Sequence, residues 1–277
     1  MRKQKIKLTV FEIFMILLVL VLSYPLLMIV NMSLQTDMEV TLSPLKLPQS
    51  ARWQNYKEAF TQMNYLSSAW NSFVITMSST VVGTILYCMA SYAIVRAPRW
   101  KKFFRVIYVI FILGMILPAQ STLIPLVWAY SKLHLTGSYV GMDMLYVAGA
   151  AAFSIMLVTG FINTVPISLE ESARLDGCTP YGIFFKIMFP LMKPIISTLI
   201  IINAINIWND FYNPLFFLSG KSSKTITLAV YMFRGEHMTQ WNILFAGLVL
   251  ATLPMMILYF ALQKYIIAGM ASGAVKS

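Results

Sequence analysis

Six runs of roughly 20 mainly apolar residues recur along the chain, the length that crosses the hydrocarbon core of a bilayer. They fall at about 10–31, 69–94, 104–127, 139–163, 195–216 and 242–263, and short charged stretches separate them. The pattern predicts an all-α, polytopic membrane protein with six transmembrane helices in a single domain over residues 1–277. The third run contains Pro118 and Pro125. Proline inside a span is tolerated where neighbouring helices satisfy the freed backbone groups, so these mark kinks that face protein.

Composition agrees with the pattern. The chain is 58% hydrophobic and 11% charged, and soluble domains carry about twice that charged fraction. The formal net charge of +11 would suit a nucleic-acid binder. The basic residues, however, sit in short loops beside the apolar runs, as topology signals do. Fourteen Lys and Arg fall on one side: Arg2, Lys3, Lys5 and Lys7; Arg96, Arg99, Lys101, Lys102 and Arg105; Arg174, Lys186 and Lys193; Lys264 and Lys276. Lys46, Arg52, Lys57, Lys132, Lys221, Lys224 and Arg234, seven in all, fall on the other. That bias puts both termini in the cytoplasm. The apolar run near the N-terminus exceeds a signal h-region, and no A-x-A-like site follows in "NMSLQTDMEV", so it reads as a retained span. Cys88 and Cys178 read as free thiols, because two cysteines make no disulfide framework. The segment "QSARWQNYKEAFTQMNYLSS", 49–68, reads as an outside surface helix with Trp53, Tyr56 and Phe60 at helical spacing. Such a helix either lies on headgroups or faces a partner.

Between the fourth and fifth runs the chain departs from the pattern. "ISLEESARLDGCTPYGIFFKIMFPLMKP" carries Glu170, Glu171, Arg174, Asp176, Lys186 and Lys193. Ser168 with Glu171 three residues on is a capping-box pattern. Acidic residues in the first turn suit the helix dipole. Gly177 can adopt the left-handed geometry that ends a helix, and Thr179–Pro180 reads as the cap and first position of the next. The prediction is a stiff cytoplasmic helix–turn–helix, with Phe184, Phe185, Ile187 and Phe189 anchoring it to the spans. Ala173 and Gly177 are small enough for another protein to approach closely.

These residues carry a family resemblance. Glu171, Ala173, Gly177, Ile187 and Pro190 have the spacing E-x-A-x₃-G-x₉-I-x-x-P, similar to the "EAA" loop of ABC importer permeases, with Ser172 where alanine is usual and Phe189 where leucine is usual. "NIWNDFYNPLFFL" (206–218) and "QKYIIAGMASGAVKS" (263–277) resemble the carbohydrate branch, the latter the tail of the maltose-permease "G"-type subunit. The resemblance implies a type I importer permease fold with a cytoplasmic coupling helix in the bacterial plasma membrane. It implies a second homologous permease, two ATPase subunits that bind ATP and Mg, and an extracytoplasmic sugar-binding protein. Glu170, Glu171, Ala173, Asp176 and Gly177 would then contact the ATPase. No G-x-x-x-x-G-K-[ST] phosphate loop occurs in this chain, so no cofactor is expected on it and ATP hydrolysis belongs to another polypeptide.

The fifth run carries Asn203, Asn206, Asp210 and Asn213, which share an arc of about 80° on an ideal helix. Such a stripe avoids lipid. It either hydrogen-bonds sugar hydroxyls or serves as polar glue between permeases. Trp208 points roughly 140° from Asn203 on the same helix. Asp143 lies near Gly137 and Gly141, a small-xxx-small spacing that signals helix packing. An ion-coupled secondary transporter is the alternative, but its spans need midplane ionisable residues, and Glu12, Asp143 and Asp210 all lie towards span ends. His134 and His237 have no metal-ligand spacing, which disfavours an enzyme.

Overall fold

The computed structural model describes residues 2–97, 100–218, 224–234 and 240–274, and among them the regular elements are all helices. Arg99, Lys221, His237 and Lys276 lie outside the described residues. In chain order the first helices are α1 (Arg2–Ser33), α2 (Asp37–Leu42), α3 (Gln54–Gln62), α4 (Tyr65–Arg96), α5 (Lys101–Gly114), α6 (Ala119–Lys132) and α7 (Tyr139–Ile162). Then come α8 (Ser168–Leu175), α9 (Pro180–Ile183), a wide π-type turn (Phe184–Met188), α10 (Phe189–Leu191) and α11 (Lys193–Asn209). The last are α12 (Tyr212–Phe217), α13 (Ile226–Tyr231) and α14 (Trp241–Ala274).

Four of these, within α1, α4, α7 and α14, are single helices long and apolar enough to cross a membrane. Residues Pro180–Leu191 and Lys193–Asn209, bent by 73° at the break, make a fifth if taken together. Six continuous spans are therefore not what forms. The third run is two 14-residue helices, α5 and α6, each about 21 Å long, short of a 30 Å hydrocarbon core. Pro118 causes the break. It is extended (φ −63°, ψ 128°) at the start of α6, lacks an N–H, and disfavours helical geometry at the residue before it. The fifth run stops at Asn209 because Asp210 is extended, ψ 131°.

The chain divides into two compact units. One comprises Met1–Ser68 and Leu228–Pro254. Its hub is Asn55, 3% exposed, whose amide donates to the carbonyls of Ser33 (2.9 Å) and Gln35 (2.8 Å) and whose oxygen accepts from Asn242 (3.0 Å). The expected 49–68 surface helix is thus shorter, and Tyr56 leaves its outer face. It ends at Gln62, the chain reverses at Asn64 (φ +46°), and α4 begins. Asn55 and Ala59 form its buried face, Trp53 and Phe60 are exposed, and Tyr56 turns in to Ser33 Oγ at 2.6 Å.

The other unit comprises Ala69–Thr227 and Met255–Ser277. Here α4 and α7 run parallel, joined by polar contacts along their length. Tyr139 donates to Asn71 Oδ1 (2.6 Å), Ser78 and Ser79 donate to Asp143 Oδ1 (2.8 and 2.6 Å), and Tyr87 donates to the Val147 carbonyl (2.8 Å). Interhelical hydrogen bonds of this kind are each worth on average about 0.6 kcal/mol in membranes. Asp143 is accordingly a clamp between these helices. Gly141 serves the tight turn before α7 and not a small-residue helix seam: a Cβ there would lie 2.1 Å from the Leu135 carbonyl oxygen.

Candidate functional site

Two sites stand out, an elbow between α7 and α11 and a polar cavity along α11 and α12. In the elbow, Ile167 already has helical geometry (φ −67°, ψ −24°), so Ser168 lies inside α8 and its side chain caps nothing. The expected Ser168–Glu171 capping box does not form. The other end behaves as the sequence predicts. Gly177 is left-handed (φ +80°), its N–H reaches the Arg174 carbonyl, and the Cys178 N–H reaches the Ala173 carbonyl, both at 3.0 Å. This paired closure stops the helix and aims the chain back. Thr179 Oγ1 then accepts from the Gly182 N–H at 3.1 Å, with Pro180 at the first helical position.

The elbow has a welded side and a free side. Residues three apart share a helix face, so Glu170 and Ala173, 1% and 6% exposed, both turn inward. Glu170 Oε1 pairs with Arg96 Nε at 2.6 Å and Oε2 accepts from Tyr92 at 2.7 Å. The Arg96 Nη2 atom donates to the carbonyls of Val165 (2.7 Å) and Ile162 (3.2 Å), just where α7 ends. Beneath lies an apolar cluster in which Ala173, Ile183, Phe184 and Met188 pack with Cys88, Val158 and Ile162 of α4 and α7. Phe184 is the buried anchor; Ile187 and Phe189 pack against the same cluster, whereas Phe185 is 49% exposed. Glu171, Asp176 and Gly177 lie on the exposed side. Leu175 joins them at 90% exposure and Tyr181 at 74%. Of the five residues expected to contact a partner, Glu170 and Ala173 are therefore occupied within this chain.

Arg96, Tyr92, Leu175 and Tyr181 were not singled out by the sequence. Arg96 passes there for one more topology charge. That Leu175 is free follows from periodicity only once the inward face of α8 is known.

The cavity is about 570 Å³ and is lined by Asn203, Asn206, Asp210 and Asn213 together with Tyr146 and Thr122. All four stripe residues thus meet, although the helix that was to align them is broken. Asp210 makes the break useful. Its Oδ1 accepts the Tyr212 N–H (2.9 Å), and its Oδ2 accepts from Tyr146 Oη (3.0 Å) and Asn213 Nδ2 (2.6 Å). Asn203, 5% exposed, has an amide nitrogen without a partner among the described residues. Trp208, 6% exposed, is absent from the cavity lining, as its helical angle requires.

Membrane-length helices bearing a rigid elbow at one end define a polytopic helical membrane protein. The chain belongs to the family of binding-protein-dependent transport system inner membrane components, which it matches over residues 93–272. It is 38% identical to the multiple sugar-binding transport system permease protein MsmG of Streptococcus mutans, over 75% of each chain. It is 34% identical to the melibiose/raffinose/stachyose import permease protein MelC of Bacillus subtilis, over 83% of each. The fold is similar to that of a chain from a bacterial ABC transporter involved in the import of the acidic polysaccharide alginate. The TM-score is 0.79, at 23% identity, covering 96% of this chain and 98% of that one.

Proposed function

We propose that this chain is a permease subunit of an ATP-driven importer that moves a sugar or oligosaccharide across the bacterial plasma membrane. The observation that carries it is the two-sided elbow: its inner face is fixed to α4 and α7, while its outer face offers Leu175 and Tyr181 beside Glu171, Asp176 and Gly177. A docking surface for a soluble partner has this make-up, an exposed apolar centre rimmed by charge. The sugar-import names of its relatives support the cargo class.

In this reading the elbow and both termini are cytoplasmic. Two ATPase subunits, which bind ATP and Mg, grip the elbow's outer face, and an extracytoplasmic binding protein delivers the sugar. A second permease covers α1, whose most apolar 18-residue window has no buried position among the described residues. Closure of the ATPase pair pushes the elbow, and the push reaches the spans because the elbow is stiff. Asn203, Asn206, Asp210 and Asn213 line the sugar's path, since amides and carboxylates match hydroxyls that both donate and accept.

The test is uptake into vesicles carrying the assembled complex. Uptake driven by ATP supports the reading, and uptake driven by an ion gradient without ATP contradicts it. Gly177→Asp should insert normally, release the ATPase subunits and abolish uptake. Normal uptake in that variant also contradicts the reading.

A further inference from the structure

Glu170 and Glu171 adjoin in sequence, yet only Glu171 is on the free face. Glu170 is enclosed, and three elements converge on the group that binds it. Arg96 and Tyr92 belong to the last turns of α4, the carbonyls of Ile162 and Val165 to the end of α7, and Glu170 to α8. A guanidinium bonded at once to a carboxylate and to helix-terminal carbonyls is held in one orientation, because its donors form a rigid fork. Arg96 Nε and Nη2 thereby bind an acid on the elbow and two carbonyl oxygens at the end of α7, of which that of Ile162 also accepts the Val165 N–H.

We propose that Arg96 and Glu170 form an internal latch through which force on the elbow enters α4 and α7, so that Glu170 is a positioning residue and not a contact for the ATPase. The proposal rests on the permease reading above and deepens it. Without the latch, α8 still ends at Gly177 and the elbow still shows Leu175 and Tyr181, so the ATPase docks. What is lost is the polar tie to two helix ends, and the elbow slides on its apolar bed instead of carrying the spans with it.

The experiment uses the complete importer in proteoliposomes, with Gly149→Cys in a Cys178→Ser background. Gly149 lines the cavity, is exposed, and has room for a Cβ, so its labelling by a membrane-impermeant maleimide, with and without ATP, reports whether the cavity changes access. Glu170→Gln should keep its ATPase subunits through purification and hydrolyse ATP, while the ATP-dependent change in labelling falls on the order of tenfold. Arg96→Lys keeps the charge but loses the fork, and should uncouple in the same way. The pair Arg96→Gln with Glu170→Gln should recover part of the response, since neither polar group is then left as an unpaired buried charge.

An undiminished labelling change in Glu170→Gln overturns the latch. So does loss of the ATPase subunits from Glu170→Gln but not from Arg96→Lys, which would make Glu170 a docking contact. If Glu170→Gln does not accumulate, Arg96→Lys decides, and a normal response there overturns the proposal. An absent ATP response in the parent Gly149→Cys complex strikes the permease reading itself.

Discussion

Two of the Ser/Thr-x-x-Glu patterns in this chain, at Thr36 and Ser168, have opposite fates, and the backbone at the start of each helix decides. Thr36 is extended (φ −75°, ψ 160°), so its hydroxyl caps the Glu39 N–H at 3.1 Å and Glu39 returns to the Thr36 N–H at 2.8 Å. Ser168 follows Ile167, already helical, and sits too far inside α8 to cap it. Residue types alone do not separate the two cases. Donation from the Thr36 and Gln49 backbone holds the Glu39 carboxyl below its ordinary 4.5. With the folded value depressed, its stabilisation is complete above the unfolded value and lost as pH falls through the folded one. Hydrogen exchange should therefore show the Thr36 and Gln49 amides better protected in wild type than in Glu39→Gln at neutral pH. The difference should shrink as pH falls below 4.5 and vanish once pH is below the depressed folded value; one that persists in strong acid refutes the assignment. Two glycines constrain the backbone for different reasons. Gly141→Ala drives a Cβ to 2.1 Å from the Leu135 carbonyl oxygen and should cost about 2–3 kcal/mol. Gly177→Ala meets nothing within 4 Å but must hold φ +80°, costing about 1–2 kcal/mol. Thermal unfolding in detergent should rank them in that order.

At the scale of elements, the sequence reveals structure set by local chemistry and hides structure set by neighbours. The elbow's turn was legible because Gly177, Thr179 and Pro180 act within a few residues. The spans in α1, α4, α7 and α14 were legible because length and apolarity suffice. The third and fifth runs were misread as continuous, since hydropathy registers apolar length but not a broken hydrogen-bond ladder. Pro118 offered a signal; Asp210 offered little, because an aspartate becomes a helix stop only when its carboxylate finds donors on the next turn. The inward face of α8 was invisible for a related reason. Arg96 lies 74 residues from Glu170, and nothing local declares which of two adjacent glutamates it will choose. Asp210→Ala should cost about 1 kcal/mol or more as a lost cap, with Tyr146 Oη also losing its acceptor. A thermal midpoint equal to wild type contradicts that role. If Asn203 lines the sugar path proposed above, Asn203→Leu should keep normal membrane levels but lose uptake, its buried amide nitrogen having no partner among the described residues. Unimpaired uptake would assign Asn203 to packing.

The whole molecule, in the importer proposed above, joins a stiff elbow to a polar cavity. The elbow's apolar bed and the Arg96–Glu170 pair fix its inner side, which leaves Leu175, the most exposed large apolar residue on α8, with no partner among the described residues to bury it. In the importer proposed above, that role falls to the ATPase. Leu175→Cys measures this most directly. In the reconstituted complex it should cross-link to the ATPase subunit with a short bifunctional reagent and lose reactivity towards aqueous maleimide when that subunit is bound. If a spin label at the same position instead reports immersion in lipid, with no cross-link and no change when the ATPase is stripped away, the elbow is not where the motor bears and the account is contradicted.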